Sequence, residues 1–509
     1  MVTKTKTTLM QRFLNIVERG GNALPHPATL FLILAVLTLI ISWVGHMLGW
    51  EIVHPATNEV IQTKNLLSAD GLHFILEKTV KNFTDFAPLG IVLVAMLGIG
   101  IAESSGLIAV AIRLLVLKAP KRMLTFVLVF AGILSNMASD IGYVLLIPMA
   151  GVIFAAVGRH PIVGMAAAFA GVSGGFSANL FLGTIDPLLA GLSQEAAQII
   201  DPSYTVNPTA NYYFMIVSTF MISIMGTWVT EKIVAPRFGN YKSDEELDQS
   251  RLEKLNKKER KGLRYAAIIF AVFVTLLLIG SIPENGVLRS ADGSILHSPL
   301  LKGVVTLLFL IAGLMGVVYG LTVGTFKNDG DIMKGMAESM KTLATYLVLV
   351  FFAAQFVAYF KVSNLGIVLA VNGAEALKAA NLNIYVLMIL FILFAATVNM
   401  LMGSASAKWA ILAPVFIPIF MLMGYSPELS QAVFRIGDSV TNIISPMMSF
   451  FALIIAFFQK YDKNAGIGTI ISTMIPYSIL FFIGWTLLLI GWIYFRLPLG
   501  PDSPLFYGS

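Results

Sequence analysis

Apolar runs of about twenty residues recur along this chain, and they constrain it more than any other feature. The first extends from Ala28 to Trp50. That length exceeds the apolar core of a cleaved leader and suits one membrane crossing. Similar runs occupy 211–236, 263–282, 300–324, 345–362 and 467–495. Of 509 residues, 57% are apolar and only 12% are charged, with mean hydropathy +0.82. A soluble domain carries about 25% charged residues. The pattern therefore predicts an all-α polytopic membrane protein.

Other function classes drop out quickly. The chain has no cysteine, which excludes disulfide scaffolds, thiolate zinc sites and cysteine nucleophiles. No G-x-x-x-x-G-K-[ST] loop occurs, so no ATP-driven engine is expected. The net charge is +6, from 34 basic and 28 acidic residues. In a membrane protein that excess belongs to cytoplasmic loops and does not argue for a nucleic-acid partner. Lys4, Lys6, Arg12 and Arg19 place segment 1–27 in the cytoplasm. The most polar stretch, 239–262, begins a region with eight basic residues from Lys242 to Arg264. It is expected to be a cytoplasmic linker between two halves, 28–238 and 263–509.

Each half contains an apolar region with a polar interruption. Residues 122–158 break at SNMASD (135–140) and have basic residues at both ends: Lys121, Arg122, Arg159 and His160. A segment that enters and leaves on the same side is a re-entrant hairpin. Residues 383–424 break at GSASAK (403–408) and lack basic flanks, so this hairpin is expected to enter from outside. A broken helix follows each: 161–200 around GGFSAN (174–179), and 427–459 around GDSVTN (437–442). The expectation is about nine transmembrane helices plus two opposed re-entrant hairpins, with the C-terminus outside. Stretches 102–120 and 325–343 read as amphipathic helices at the inner interface.

The two regions repeat one pattern. Pro148 and Pro161 lie 13 apart, as do Pro414 and Pro427. Asp140 lies eight before Pro148, and Ser406 lies eight before Pro414. Gly174 precedes Asn179 by five, and Gly437 precedes Asn442 by five. An inverted repeat with broken helices is the signature of a secondary transporter. Unwound backbone at membrane depth must be buried or line a wet cavity. Its freed carbonyls, with amide and hydroxyl oxygens, are hard ligands suited to a small cation. Asn136, Asn179 and Asn442 sit in such breaks and are candidate ion ligands.

Charges inside apolar zones cost several kcal/mol each, so each needs a reason. The candidates are Asp140, Asp186, Lys408, Arg435 and Asp438. Arg435 and Asp438 are three apart and can pair on one helix. Alternatively, Arg435 grips a substrate carboxylate while Asp438 orients it, binds a cation or carries a proton. Asp186 either lines the path or marks an outer helix end. Trp409 is either an interfacial anchor or a stacking platform for an aromatic substrate. Lys408 either snorkels to the surface, pairs with an aspartate or serves as a built-in cation.

Two other function classes fit the sequence less well. GVSG (171–174) matches the G-x-S-G of an intramembrane serine protease, yet no histidine lies in the membrane interior to act as base. A channel is disfavoured because two broken-helix units suit an alternating-access site better than a continuous pore.

Several strings resemble the AbgT family, the p-aminobenzoyl-glutamate transporters. They are GNALPHPATLF (21–31), NFTDFAPLG (82–90), AVGRHPIVGMAAAFAGVSGGFSANL (156–180), SAKWAILAPVFIPIFMLMGY (406–425), FRIGDS (434–439) and LPLGP (497–501). The resemblance runs from about residue 13 to 505. It implies a homodimer in the inner membrane, each protomer having a transport core and an outer scaffold. It implies transport of p-aminobenzoyl-glutamate or related aromatic carboxylates, or export of sulfonamide antimetabolites, coupled to Na⁺ or H⁺. No resident cofactor is implied. Transport positions fall on Asp186, Trp409, Pro427, Arg435 and Asp438. A sodium site falls on Asn399, Gly403 and Asp438. Lys408 departs from the family pattern, which is usually uncharged there, and this bears on ion stoichiometry. A dicarboxylate/Na⁺ symporter of the same superfamily is the alternative.

Overall fold

The computed structural model describes residues 25–53, 59–137, 141–239, 254–291, 293–295 and 298–508. Asp140, the N-terminal segment 1–24 and most of the linker (240–253) lie outside the described residues. The chain is helical almost throughout. Its helices are α1 (Pro27–Met47), α2 (Ala69–Thr84), α3 (Ala87–Ser104), α4 (Leu107–Leu117) and α5 (Leu124–Ser135). Then come α6 (Gly142–Ala156), α7 (Pro161–Gly174), α8 (Ile185–Ala197), α9 (Tyr212–Phe238) and α10 (Lys257–Ser281). The second half has α11 (Val304–Val323), α12 (Asp329–Thr342), α13 (Ala344–Val362), α14 (Leu365–Ala379) and α15 (Ile384–Leu401). It ends with α16 (Ala405–Leu422), α17 (Pro427–Asn442), α18 (Phe451–Gln459) and α19 (Ile467–Tyr494).

Among the described residues, nine helices are long and apolar enough to cross a membrane. Two of them, α15 and α16, are the arms of the second hairpin. The first hairpin has shorter arms, α5 and α6, and α6 opens with a π-helical turn, Gly142–Leu146. The broken helices are α7 with α8 and α17 with α18. Proline begins both α7 and α17, where its missing N–H costs nothing and its fixed φ favours the first turn. His160 and Ser426 cap those starts through side-chain acceptors.

The helices sort into two groups by packing. In one, α3 packs on α11 and α12, α11 on α10, and α13 on α1. These helices expose large apolar side chains such as Leu37, Ile41, Ile268 and Leu276. Such faces suit lipid as solvent. In the other group, α5 and α15 pack on α7 and α17, while α8 contacts α16 and α17. This second group is the dense core: every residue of α7 is buried, as is all of α17 except Thr441. A short antiparallel ribbon, β1 (Glu51–Val53) with β2 (Val60–Gln62), packs Ile52 against Ile367, Val368 and Val371 of α14.

The internal repeat is legible in the contacts. Asn136, after α5, donates from Nδ2 to the Val172 carbonyl at 3.0 Å. Asn399, at the end of α15, donates from Nδ2 to the Asp438 carbonyl at 2.6 Å. Val172 follows Gly171, and Asp438 follows Gly437. A Cβ on Gly171 would lie 2.2 Å from the Val129 oxygen, and one on Gly437 would lie 2.5 Å from the Ile392 oxygen. Each glycine lets its helix cross a hairpin arm at backbone distance. Gly171 is therefore the partner of Gly437, which corrects the register that aligned Gly174 with it. The spacing was ambiguous because Gly171, Gly174 and Gly175 all fall within five residues.

Candidate functional site

The site lies where α8, α16 and α17 meet. Along α17, Glu428, Gln431, Arg435, Asp438 and Asn442 fall at alternating spacings of three and four, forming one polar stripe. A lipid-facing helix would send that stripe to water. Here the stripe is buried in the core, and each residue finds a partner on another element.

Arg435 Nη1 lies 2.7 Å from Asp186 Oδ1, and both side chains are almost fully buried. Asp186 is held by its own helix start, its Oδ2 accepting from the Gly183 N–H at 2.7 Å. The first turn of α8 also favours a negative charge electrostatically. Among the described residues, the Arg435 Nε donor has no hydrogen-bond partner. Arg435 borders a small cavity with Ser177, Asn211, Phe214, Ile436 and Trp485. The guanidinium thus anchors at one corner on Asp186, while the residue lines that cavity.

Asp438 does not pair with Arg435, three residues away. It pairs with Lys408 Nζ, and both side chains are buried. The same ammonium donates to Asn399 Oδ1. The Asn399 amide nitrogen lies 2.6 Å from the Asp438 carbonyl, 2.9 Å from Thr441 Oγ1 and 2.9 Å from Asn442 Oδ1. Lys408 therefore does not snorkel to the surface: it lies in the first turn of α16, which is buried against α8 and α17, and the aspartate and amide replace its water. Gly403, in the hairpin tip, is pressed against the break that follows α17, where a Cβ would lie 2.2 Å from the Met447 oxygen.

Trp409 is wholly buried, so it is no interfacial anchor. Its ring stacks on Phe434 with centroids 4.5 Å apart. Its Nε1 donates to Ser193 Oγ at 2.9 Å, and Ser193 donates to Gln431 Oε1 at 2.6 Å. Gln431 Nε2 then donates to Asn211 Oδ1, and Asn211 Nδ2 to the Glu428 carbonyl, each at 2.9 Å. The Glu428 carboxylate accepts from the Tyr204 hydroxyl at 3.0 Å. Pro427 starts α17 and sets this register. Asp186 is buried in the core, in the first turn of α8.

The structure gathers Asp186, Lys408, Trp409, Arg435 and Asp438 with Asn399 and Asn442 into one polar core. Asn136 and Asn179 belong to the first repeat. There Asn179 Nδ2 donates to the Ile133 carbonyl at 3.3 Å, and its Oδ1 accepts from Leu180 N–H at 2.8 Å. Ser177 N–H donates to Ser439 Oγ at 3.0 Å, which joins the two breaks. Ser193, Asn211, Glu428 and Gln431 were missed from sequence. The signal for the last two was the polar stripe at helical spacing. Ser193 and Asn211 carry no comparable local signal.

Residues 12–507 match the AbgT putative transporter family. The chain is 37% identical, over 486 residues and 95% of both chains, to the p-aminobenzoyl-glutamate transport protein of Escherichia coli. Its structure resembles the crystal structure of the YdaH transporter of Alcanivorax borkumensis, with TM-score 0.89 and 47% identity, covering 94% of this chain and all of that one. It also resembles MtrF of Neisseria gonorrhoeae, described within a class of antimetabolite efflux pumps. That match has TM-score 0.92 and 52% identity, covering 97% of this chain and all of that one. These relatives are transporters rather than enzymes. On this footing the chain is a membrane-spanning transporter of the AbgT family.

Proposed function

We propose that this chain moves an aromatic carboxylate of the p-aminobenzoyl-glutamate class by alternating access, driven by a cation gradient. The observation that carries this reading is Arg435: a buried guanidinium with one corner on Asp186 and an unpartnered Nε beside a cavity. A carboxylate is the group a planar guanidinium holds best. Trp409 and Phe434, one residue from Arg435, supply ring faces for the aromatic portion. A dicarboxylate symporter would need the cation but not the rings.

The cavity beside Arg435 has room for about one water. A bound ligand of this class needs roughly 300 Å³ or more. The closed core must therefore open for substrate, and the hairpin tips at Asn136 and Gly403 are the elements that part. Relatives named for p-aminobenzoyl-glutamate transport and for antimetabolite efflux support that substrate and an antimetabolite as cargo. The same reading places the protein in the inner membrane as a homodimer, with the N-terminus cytoplasmic and the C-terminus outside.

The test is labelled p-aminobenzoyl-glutamate flux into proteoliposomes under imposed Na⁺ or proton gradients, with sulfonamide as competitor. Saturable, gradient-dependent accumulation that sulfonamide competes for is expected. Flux that ignores both gradients would overturn coupling, and no flux would overturn the substrate.

A further inference from the structure

Of the three residues to which the family resemblance assigns sodium, Asn399 gives its amide oxygen and Asp438 one carboxylate oxygen to Lys408. Nζ meets both Asp438 Oδ1 and Asn399 Oδ1. The remaining Asn399 nitrogen is a donor, which no cation accepts. The donor set therefore fits sodium poorly: the Asn399 amide oxygen and one Asp438 carboxylate oxygen already face a buried unit positive charge.

The first repeat shows that the fold does not require this pair. Gly142 lies six before Pro148, and Lys408 lies six before Pro414. A Cβ on Gly142 would lie 2.8 Å from Val172 Cγ1. Val172 and Asp438 each supply the carbonyl that the tip asparagine binds. The same two positions thus touch in both repeats, as glycine against valine in the first and as lysine against aspartate in the second. An uncharged contact, with Ser135 Oγ and Val172 as neighbours, suffices to build the crossing. A buried ion pair is seldom a gain in stability over such a contact, so the charge needs a functional reason.

We infer that the Lys408 ammonium is a built-in cation that fills the ion position of the second repeat, so that this chain binds no sodium there. The pair Lys408–Asp438 is neutral as a unit, as is Arg435–Asp186. Neither pair then offers net charge to attract a free cation. This inference deepens the proposed transport reading but is tested without substrate.

The experiment is thermal unfolding of the purified full chain in sodium chloride against choline chloride. The wild type is expected to show no sodium-specific shift. Lys408→Ala vacates the position and leaves Asp438 and Asn399 free, so it is expected to gain a sodium-specific rise in Tm of roughly 2 °C by mass action. Adding Asp438→Asn to that variant should remove the gain. A sodium-specific shift in the wild type that Asp438→Asn abolishes would overturn the inference, as would a folded Lys408→Ala with no response to sodium. Should Lys408→Ala fail to fold, the wild type and its Asp438→Asn variant decide the matter by the same criterion. Failure of p-aminobenzoyl-glutamate flux would leave these results unaffected.

Discussion

Arg435 on α17 and Asp186 on α8 form a buried ion pair at 2.7 Å that ties the second repeat to the first. Neither residue is near the other in sequence, and each lies beside a break in its own repeat. The pair gives the proposed substrate site a charge that is already neutralised when no substrate is bound.

Arg435→Ala is expected to abolish transport and also to lower stability. It leaves the Asp186 carboxylate buried with only the Gly183 N–H, a loss of about 3–5 kcal/mol. The double variant Arg435→Met/Asp186→Asn removes both charges and should recover most of the Tm without recovering flux. Flux restored along with Tm would remove Arg435 from substrate binding.

Trp409→Phe keeps a ring against Phe434 and loses the Ser193 bond. A stability loss of about 1 kcal/mol is expected, with substrate KM raised several-fold. Trp409→Ala also loses the ring and should cost about 3–5 kcal/mol. Steady-state uptake over a range of substrate concentrations separates the two. An unchanged KM in both variants would end the stacking role.

Gly437→Ala should destabilise by about 1–3 kcal/mol, because its Cβ meets the Ile392 carbonyl, which belongs to backbone and yields little. Gly468→Ala in α19 is the control, since nothing lies within 4 Å of its Cβ. There alanine should be neutral or favourable by up to about 1 kcal/mol. Melting temperatures in one detergent compare them directly, and equal values would discount the close crossing.

Stability should fall with acid at His160, in the turn between α6 and α7. Burial holds its pKa below the ordinary imidazole value, with Asp462 opposing the shift in part. Its Nδ1 accepts from the Ile162 N–H at 3.3 Å, a role only the neutral ring can fill. The folded pKa is depressed, so this contribution is complete above pH 6.5 and is lost as pH falls through the folded value. Melts at about pH 7.5 and about pH 5.5, against His160→Asn as a cap that does not titrate, should show the wild type losing more. Parallel losses would exclude His160 as the source.

The sequence by itself determined the elements. Apolar runs of membrane length specify helices because a buried backbone must bond within its own segment. The prolines at 161 and 427 and the polar tips announced where helices restart and break, since those effects act within a few residues. Local signals also marked Asp186, Lys408, Trp409, Arg435 and Asp438 as residues that need explaining in an apolar zone. Only the tertiary structure decided their partners. By spacing, Arg435 and Asp438 were as ready to pair with each other as with anything distant. The crossing of α8, α16 and α17 instead gives Arg435 to Asp186 and Asp438 to Lys408. Charge at low dielectric pairs with whatever opposite charge the packing brings within reach. Which helix faces which is settled by long-range fit, such as a glycine passing a carbonyl, and no window of sequence contains both sides of that contact.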